Sequence, residues 1–451
     1  MTTHVEFSAL MPCDSKELYR WHTMPRAINR LIPPWENVKI IEHPDTLGSN
    51  SKVHIKLDGF IDWKLRISEL KEGESFTDTQ ISGPFFSWTH KHNMETINGN
   101  HSLLVEKIDF KLPLLNGLLG PLFTKNKLEP GFNYRFRVMN NDIKLHNKYK
   151  LKPQKILITG TSGLVGTALF DFLSSGGHQV YKLVRKQAQS EDEIAWDPEI
   201  GTINPKDLEG FETVIHLAGE NIAGKRWSSK QKEKIRASRV NGTKLLAETL
   251  SKLDKAPNSF ICASAIGFYG DRDNELCDES TEHGKCFLAE TCKEWEEACK
   301  ALKRAGTRCV QTRFGIILDP RSGALAKMLP IFMLGGGGTL GNGKQWMSWI
   351  ALDDVIGTIL HCIATETIYG PVNTVSPIPV TNKEFTRIIS KVISRPAILP
   401  APSFGLRLAL GEMADALLLS STKVEPTVLQ DTGYDFAYPD LDSALRHMLG
   451  K

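Results

Sequence analysis

The run Lys155-Ile-Leu-Ile-Thr-Gly160-Thr161-Ser162-Gly163-Leu164-Val165-Gly166 places three glycines three residues apart, directly after an apolar segment and ahead of a helix-like one. Such a loop can cradle a pyrophosphate. The first glycine permits a tight turn, the second lets the backbone approach the phosphates, and the third lets helix and strand pack closely. The following helix then points unpaired N–H groups and the positive end of its dipole at the anion. Context strengthens the signal, because a second apolar strand, Gln179-Val-Tyr-Lys-Leu-Val184, follows that helix. It ends in Arg185 and Lys186 rather than in an acid. A carboxylate there would bind the ribose 2′-hydroxyl of NAD, whereas an arginine suits the 2′-phosphate of NADP. The expected cofactor is therefore NADP (NADPH), held by Gly160, Thr161, Ser162, Gly163, Leu164, Val165, Gly166 and Arg185.

The elements around this loop alternate. Strands are expected at 155–159, 179–184, 213–217, 259–263, 308–312 and 371–375, and helices at 164–174, 239–253, 289–303 and 383–394. This order predicts an α/β fold, a doubly wound parallel sheet covered on both faces. The first part of the chain differs. Segments 5–10, 52–57, 61–70, 75–81, 88–97 and 101–109 are strand-like, and several alternate apolar and polar residues, as in antiparallel sheet with one buried face. Asp14 reads as the cap of a helix after the first strand. Residues 113–137 read as a helix broken at Pro130 and Gly131. A polar segment with Lys148, Lys150, Lys152 and Pro153 reads as a solvated linker. The expected division is 1–145, a linker at 146–154, the cofactor domain at 155–400, and a small C-terminal domain at 401–451 that completes the substrate side.

Composition sets the outer limits. A chain of 451 residues is long enough for two to three domains. A net charge of +3 gives no electrostatic case for nucleic acid or for a membrane surface. No uninterrupted apolar run reaches the roughly 18–20 residues of a membrane span. The start, MTTHVEFSALMPCDS, lacks the basic and apolar regions of a signal peptide, so a cytoplasmic location is expected. The eight cysteines form no C-x-x-C pair and read as reduced structural thiols. His90 and His92 share one strand face, but two histidines alone do not make a metal site, and none is expected.

The glycine spacing resembles that of the extended short-chain dehydrogenases/reductases, the Rossmann proteins that include nucleotide-sugar epimerases. Val214-Ile-His-Leu217-Ala218-Gly219 is similar to their cofactor-lining strand, and Val240-Asn241-Gly-Thr243 to their helix with an internal asparagine. Ser264 and Tyr269-Gly270 resemble the end of their catalytic-serine strand, and Trp349-Ile-Ala-Leu-Asp-Asp-Val355 a late substrate-side signature. A narrower match joins Gly219-Glu220-Asn-Ile222, Arg226-Trp227, Ser238-Arg239, Gln345-Trp346-Met-Ser-Trp349, Gly370-Pro-Val-Asn373 and Leu410-Gly-Glu-Met-Ala414. These resemble the YfcH-like, NADP-binding, epimerase-like branch, and Lys423-Val-Glu-Pro426 to Tyr438-Pro439 is similar to the small domain that ends it. The resemblance implies an oxidoreductase or epimerase acting on a small-molecule substrate. It adds Leu217, Ala218, Gly219, Glu220, Asn241 and Ser264 to the cofactor contacts, and Arg226, Arg239, Gln345 and Trp346 to the substrate contacts. The N-terminal part more weakly resembles the helix-grip α+β fold of START-like and polyketide-cyclase-like (SRPBCC) proteins. There a curved sheet wraps a long helix around a cavity, which implies an apolar ligand. Phe85-Phe-Ser-Trp88 is the aromatic segment that carries this likeness.

The mechanism implied by that resemblance needs a tyrosine and a lysine four residues later, the lysine and cofactor lowering the tyrosine pKa for proton transfer. No Tyr-x-x-x-Lys occurs in this chain. The matching window reads Phe287-Leu-Ala-Glu-Thr291, and phenylalanine cannot transfer a proton. Ser264 and Tyr269 are then the expected catalytic pair, with Glu290 as a further acid nearby. Arg226, Arg236 and Arg239 suit bidentate pairing with a phosphate-bearing substrate. Gln345, Trp346 and Trp349 follow the glycine run 335–338 as a substrate-side loop. A non-catalytic NADP-binding sensor and a carrier of apolar ligands remain open beside the enzyme.

Overall fold

The computed structural model describes residues 2–44, 47–112 and 120–451. The chain forms two compact units. One comprises Met1–Lys150, Asp171–Gly177 and His447–Lys451; the other comprises Leu151–Phe170 and His178–Arg446.

The first unit is built on a seven-stranded antiparallel sheet. From edge to edge its strands are Thr3–Met11, His101–Lys111, Ser87–Asn98, Ser75–Ser82, Ile61–Lys71, Lys52–Leu57 and Val38–Glu42. The last of these was not expected from the sequence. The helix Ser15–Thr23 follows the first strand and is capped by Asp14, whose side chain accepts the Glu17 N–H at 2.8 Å. A single helix, Gly120–Tyr149, runs through Pro130 without the expected break. Its Phe132, Phe136, Met139 and Ile143 recur at helical spacing and are buried in the sheet's core, with Phe132 stacked on Phe7 at 4.5 Å. Burying each such side chain is worth about 1.5–3 kcal/mol, which together outweighs the roughly 3 kcal/mol cost of an internal proline. The same helix absorbs the start of the segment expected as a linker, up to Tyr149. The part of the expected helix at 113–119 lies outside the described residues.

The second unit is an eight-stranded sheet. Its strands run Thr202–Ile203, Glu193–Asp197, Gln179–Val184, Lys155–Thr159, Thr213–His216, Ser259–Ala265, Arg308–Phe314 and Gly370–Thr374. All pairs are parallel except the short Thr202–Ile203 edge. Ile156, Leu157 and Ile158 are all fully buried, a run rather than an alternation, as expected for a strand covered on both faces. Strand order reverses at Lys155–Thr159, whose next strand in sequence lies on one side and whose later partner Thr213–His216 lies on the other. That is the topological switch point, where ligands of such sheets bind at the carboxyl ends of the strands.

Two helices differ from expectation. The helix expected from 239 starts at Ser229, capped by Ser228, whose side chain accepts the Gln231 N–H. Its first turns are too polar to show an apolar period. The helix expected over 289–303 is two, Phe287–Glu297 and Lys300–Arg304. No helix among the described residues is long and apolar enough to cross a membrane.

Candidate cofactor and substrate site

The glycine loop leaves the strand Lys155–Thr159 at Gly160, with φ +76°, in the left-handed region. A Cβ there would stand 2.9 Å from the Ala218 nitrogen. A Cβ on Gly166 would stand 2.3 Å from the Gly160 carbonyl oxygen, so helix and loop meet backbone to backbone. Gly163 is different. Its N–H donates to the Gly160 carbonyl at 3.0 Å, and a Cβ would find only that oxygen, at 3.3 Å. The loop is thus closed at Gly160 and Gly166 and open at Gly163. Leu164, Val165 and Gly166 begin the helix Leu164–Ser175, and their amides have no intrahelical acceptor. Thr161 is fixed by the Thr167 hydroxyl, which donates to its carbonyl at 2.8 Å. This cradle fits a pyrophosphate. Ser162 lies exposed in the loop, and Arg185 lies exposed just past the strand Gln179–Val184.

The neighbouring strand end is tied to the loop by Thr159. Its hydroxyl oxygen accepts the N–H of Leu217 at 3.0 Å and of Ala218 at 3.1 Å. The hydroxyl proton is left for His216 Nδ1, 2.8 Å away. Burial lowers the His216 imidazole to about 4, so it is neutral and can accept that proton. Beyond Ala218, the turn at Gly219 and Glu220 is held by Arg239. Its guanidinium donates to the Glu220 carbonyl at 3.0 Å and to that of Ile235 at 3.1 Å, and lies over the Trp295 ring. Glu220 N–H donates to Ser238 Oγ. Asn241 is exposed on the helix Ser229–Leu250.

Ser264 and Tyr269 do come together, through residues that sequence reasoning passed over. Ser264 Oγ donates to Glu296 Oε1 at 2.7 Å. Arg313 grips both oxygens of Glu296 at 2.8 and 2.9 Å and donates to the Tyr269 hydroxyl at 2.9 Å. That hydroxyl donates to Asn373 Oδ1 at 2.6 Å. The network spans the ends of three adjacent strands. Ser264 is 2% exposed and Tyr269 fully buried, so neither hydroxyl is open to a substrate in this arrangement. Burial pushes the Tyr269 phenol up, away from proton release. Arg313 was signalled only as a cation in an otherwise largely uncharged strand, Arg308–Phe314. At the position matched to the absent lysine, Thr291 is buried and donates to the Phe287 carbonyl at 2.7 Å.

The remaining expected residues disperse. Arg226 is exposed beside Gly411, and Arg236 is exposed and grips both oxygens of Glu294 at 2.6 Å. Gln345 is buried, and its amide donates to the carbonyls of Leu340 and Leu418, which fixes the loop. Trp346 donates from its indole to Asn274 and sits under Lys423 Nζ at 4.4 Å. Trp349 is wholly enclosed and donates to the Ile378 carbonyl. Glu290 is exposed, with His283 3.8 Å away.

Comparison with known proteins agrees with this geometry. A family model described as the NAD dependent epimerase/dehydratase family matches residues 156–374, and one described as a domain of unknown function matches 401–448. An epimerase family protein of Mycobacterium bovis is 38% identical over 64% of this chain and 96% of its own. A solved Corynebacterium glutamicum structure, described as a nucleoside-diphosphate sugar epimerase, is 32% identical with a TM-score of 0.82, over 99% of this chain and 90% of that one. The human epimerase family protein SDR39U1, solved with NADPH, is 31% identical with a TM-score of 0.61, over 65% of this chain and 98% of that one. The glycine cradle at the switch point and relatives matched over nearly their whole length lead to one conclusion: this chain belongs to the NAD dependent epimerase/dehydratase family.

Proposed function

We propose that this chain binds NADP(H) above the strand Lys155–Thr159 and acts as an oxidoreductase or epimerase on a small molecule, with a proton source other than the usual tyrosine. The observation that carries the reading is the cradle, open at Gly163 and followed by the cation Arg185 where an NAD site would carry an acid. A relative solved with NADPH supports the cofactor choice. When bound, the nicotinamide supplies or takes the hydride. The chain's own part is to hold the pyrophosphate at Gly163 and the first helix amides, and the 2′-phosphate at Arg185. Leu217, Ala218 and Gly219 give the crevice a wall fixed by Thr159 and Arg239, and exposed Arg226 is left to meet an anionic substrate.

Titration with NADPH and NADH tests this. NADPH binds more tightly, and Arg185→Ala weakens NADPH roughly tenfold with NADH unchanged, since one exposed charge-assisted contact is lost. Equal affinities in the unmutated protein would remove the NADP preference. The enclosed hydroxyls of Ser264 and Tyr269 favour a second reading, a non-catalytic NADP sensor. NADPH bound without turnover across a panel of carbonyl substrates would favour it.

For the N-terminal unit we propose a helix-grip, START-like ligand domain. What supports it is the sheet with its long helix and a cavity of about 470 Å³, lined among others by Ile40, Val53, Trp63, Phe85 and Trp88. An apolar small molecule is the occupant such a lining favours.

A further inference from the structure

One end of that cavity is polar. His22, Asp78, His90 and His92 all line it, and Glu106 stands beside them. The sheet register explains the gathering. His92 stands opposite Glu106 on one neighbouring strand, and His90 stands opposite Asp78 on the other. Residues two apart share a strand face, so all four side chains reach the same side. His22 comes from the helix Ser15–Thr23. Two histidines on one strand were too few for a metal site; three strands and a helix make a different case.

Two imidazole nitrogens in this group, His22 Nε2 and His92 Nδ1, are enclosed and make no hydrogen bond. His92 Nδ1 faces Glu106 Oε2 at 2.8 Å without the alignment of a hydrogen bond. Ligand atoms of His22, His92 and Glu106 lie within 4.8 Å of one another. Bonds of about 2.0–2.1 Å to a common ion require side-chain adjustment from these positions, the His92 and Glu106 atoms already standing 2.8 Å apart. The opposite nitrogens are both engaged. His22 Nδ1 donates to the Leu18 carbonyl at 3.2 Å, and His92 Nε2 donates to Asp78 at 3.1 Å. This is the outer support that metal-binding histidines carry, one nitrogen on a carbonyl or carboxylate and the other turned to the ion. His90 Nε2 likewise orients Glu106, at 3.0 Å.

We propose that His22, His92 and Glu106 hold a divalent transition-metal ion, zinc or ferrous iron, with open coordination positions toward the cavity. Two histidines and one carboxylate are the donor set of sites that keep positions free for a ligand. With Nδ1 donating to the Leu18 carbonyl, the His22 Nε2 lone pair is turned to the site without a partner. An ion bound at His92 Nδ1 takes the place of any proton carried there.

The test uses the full chain. Protein expressed in metal-replete medium is assayed for zinc and iron by mass spectrometry, and chelator-stripped protein is titrated with Co(II). The expected result is one equivalent of metal per chain and a saturable visible absorption of low-coordinate Co(II). His22→Phe, which keeps an aromatic ring among Phe76, Trp21 and His92, and Glu106→Gln each weaken Co(II) binding by at least about tenfold. His54→Ala, outside the cavity lining, leaves it unchanged. Circular dichroism confirms the fold of each variant. Should a variant not fold, the unmutated protein decides alone. No retained metal together with no saturable Co(II) signal overturns the proposal, as does parental Co(II) affinity in folded His22→Phe and Glu106→Gln.

Discussion

Gly163→Val separates cofactor binding from folding, because the three loop glycines are constrained differently. The Gly163 backbone is outside the left-handed region, and an added Cβ meets only the Gly160 carbonyl oxygen at 3.3 Å. A few tenths of an ångström of give accommodates it, so stability should change by about 1 kcal/mol or less. The branched side chain then stands where the pyrophosphate approaches the backbone. Two amide-to-phosphate hydrogen bonds, each about 1.5–3 kcal/mol, are lost together. Their sum, about 3–6 kcal/mol, corresponds to roughly 10²–10⁴-fold in NADPH affinity. Gly166→Ala is the counterpart. Its Cβ would stand 2.3 Å from the Gly160 oxygen and 2.8 Å from the Thr161 Cα, atoms that move only with the backbone. That variant should lose about 1–3 kcal/mol of stability and unfold several degrees lower. Calorimetric NADPH titration and thermal melts read the two effects separately. Unchanged NADPH affinity in a folded Gly163→Val protein would refute the pyrophosphate placement. An unchanged melting temperature in Gly166→Ala would refute the close-packing argument.

Two further outcomes concern the supports of this site. Arg313→Met should cost about 2–4 kcal/mol in urea unfolding, because it leaves the partly buried Glu296 carboxylate without its cation and the Tyr269 hydroxyl without its donor; a loss under 1 kcal/mol would show that the network does not hold the strand ends. His216 sets an acid limit. Its folded-state pKa of about 4 lies below the ordinary 6.5, so its contribution is complete above about pH 6.5 and is lost as pH falls toward 4, on the order of 3 kcal/mol in all. His216→Leu should flatten that part of the denaturation profile, and an unaltered slope would exclude the residue as its cause.

What could be read from the sequence follows the range of the interactions. The strands Lys155–Thr159 and Gln179–Val184 were legible with their bounds, because apolar runs broken by glycine or by charge are local signals. The Asp14 cap is likewise a contact three residues long. Pro130 misled for the opposite reason. Its local cost is overridden by a tertiary face formed with Val5 and Phe7, far away in sequence. The edge strands Val38–Glu42 and Thr202–Ile203 are only five and two residues long and partly exposed, too short to display a sustained alternation. The Glu296–Arg313 pair was not legible, because a charge buried by a partner seventeen residues away looks like any surface charge until the fold pairs it.

The same network bears on how a proton would move in this chain. Where the family resemblance expects tyrosine and lysine on one helix, Phe287 and Thr291 stand, and the threonine hydroxyl is turned back on its own helix. The Tyr269 phenol donates to Asn373 and accepts from Arg313, so releasing its proton to a substrate would break one bond and leave an anion in a site whose burial already disfavours it. Arg313 offsets part of that cost, but its charge is matched by Glu296. The arrangement is what a rigid scaffold requires: every donor is spent on a protein acceptor and the ends of three strands are locked. A proton for hydride chemistry above this scaffold then has to come from the open side of the crevice, from water, from the substrate, or from an exposed side chain such as Glu290. The two proposed readings, enzyme and sensor, therefore call on the same cradle and part only at what enters from solvent.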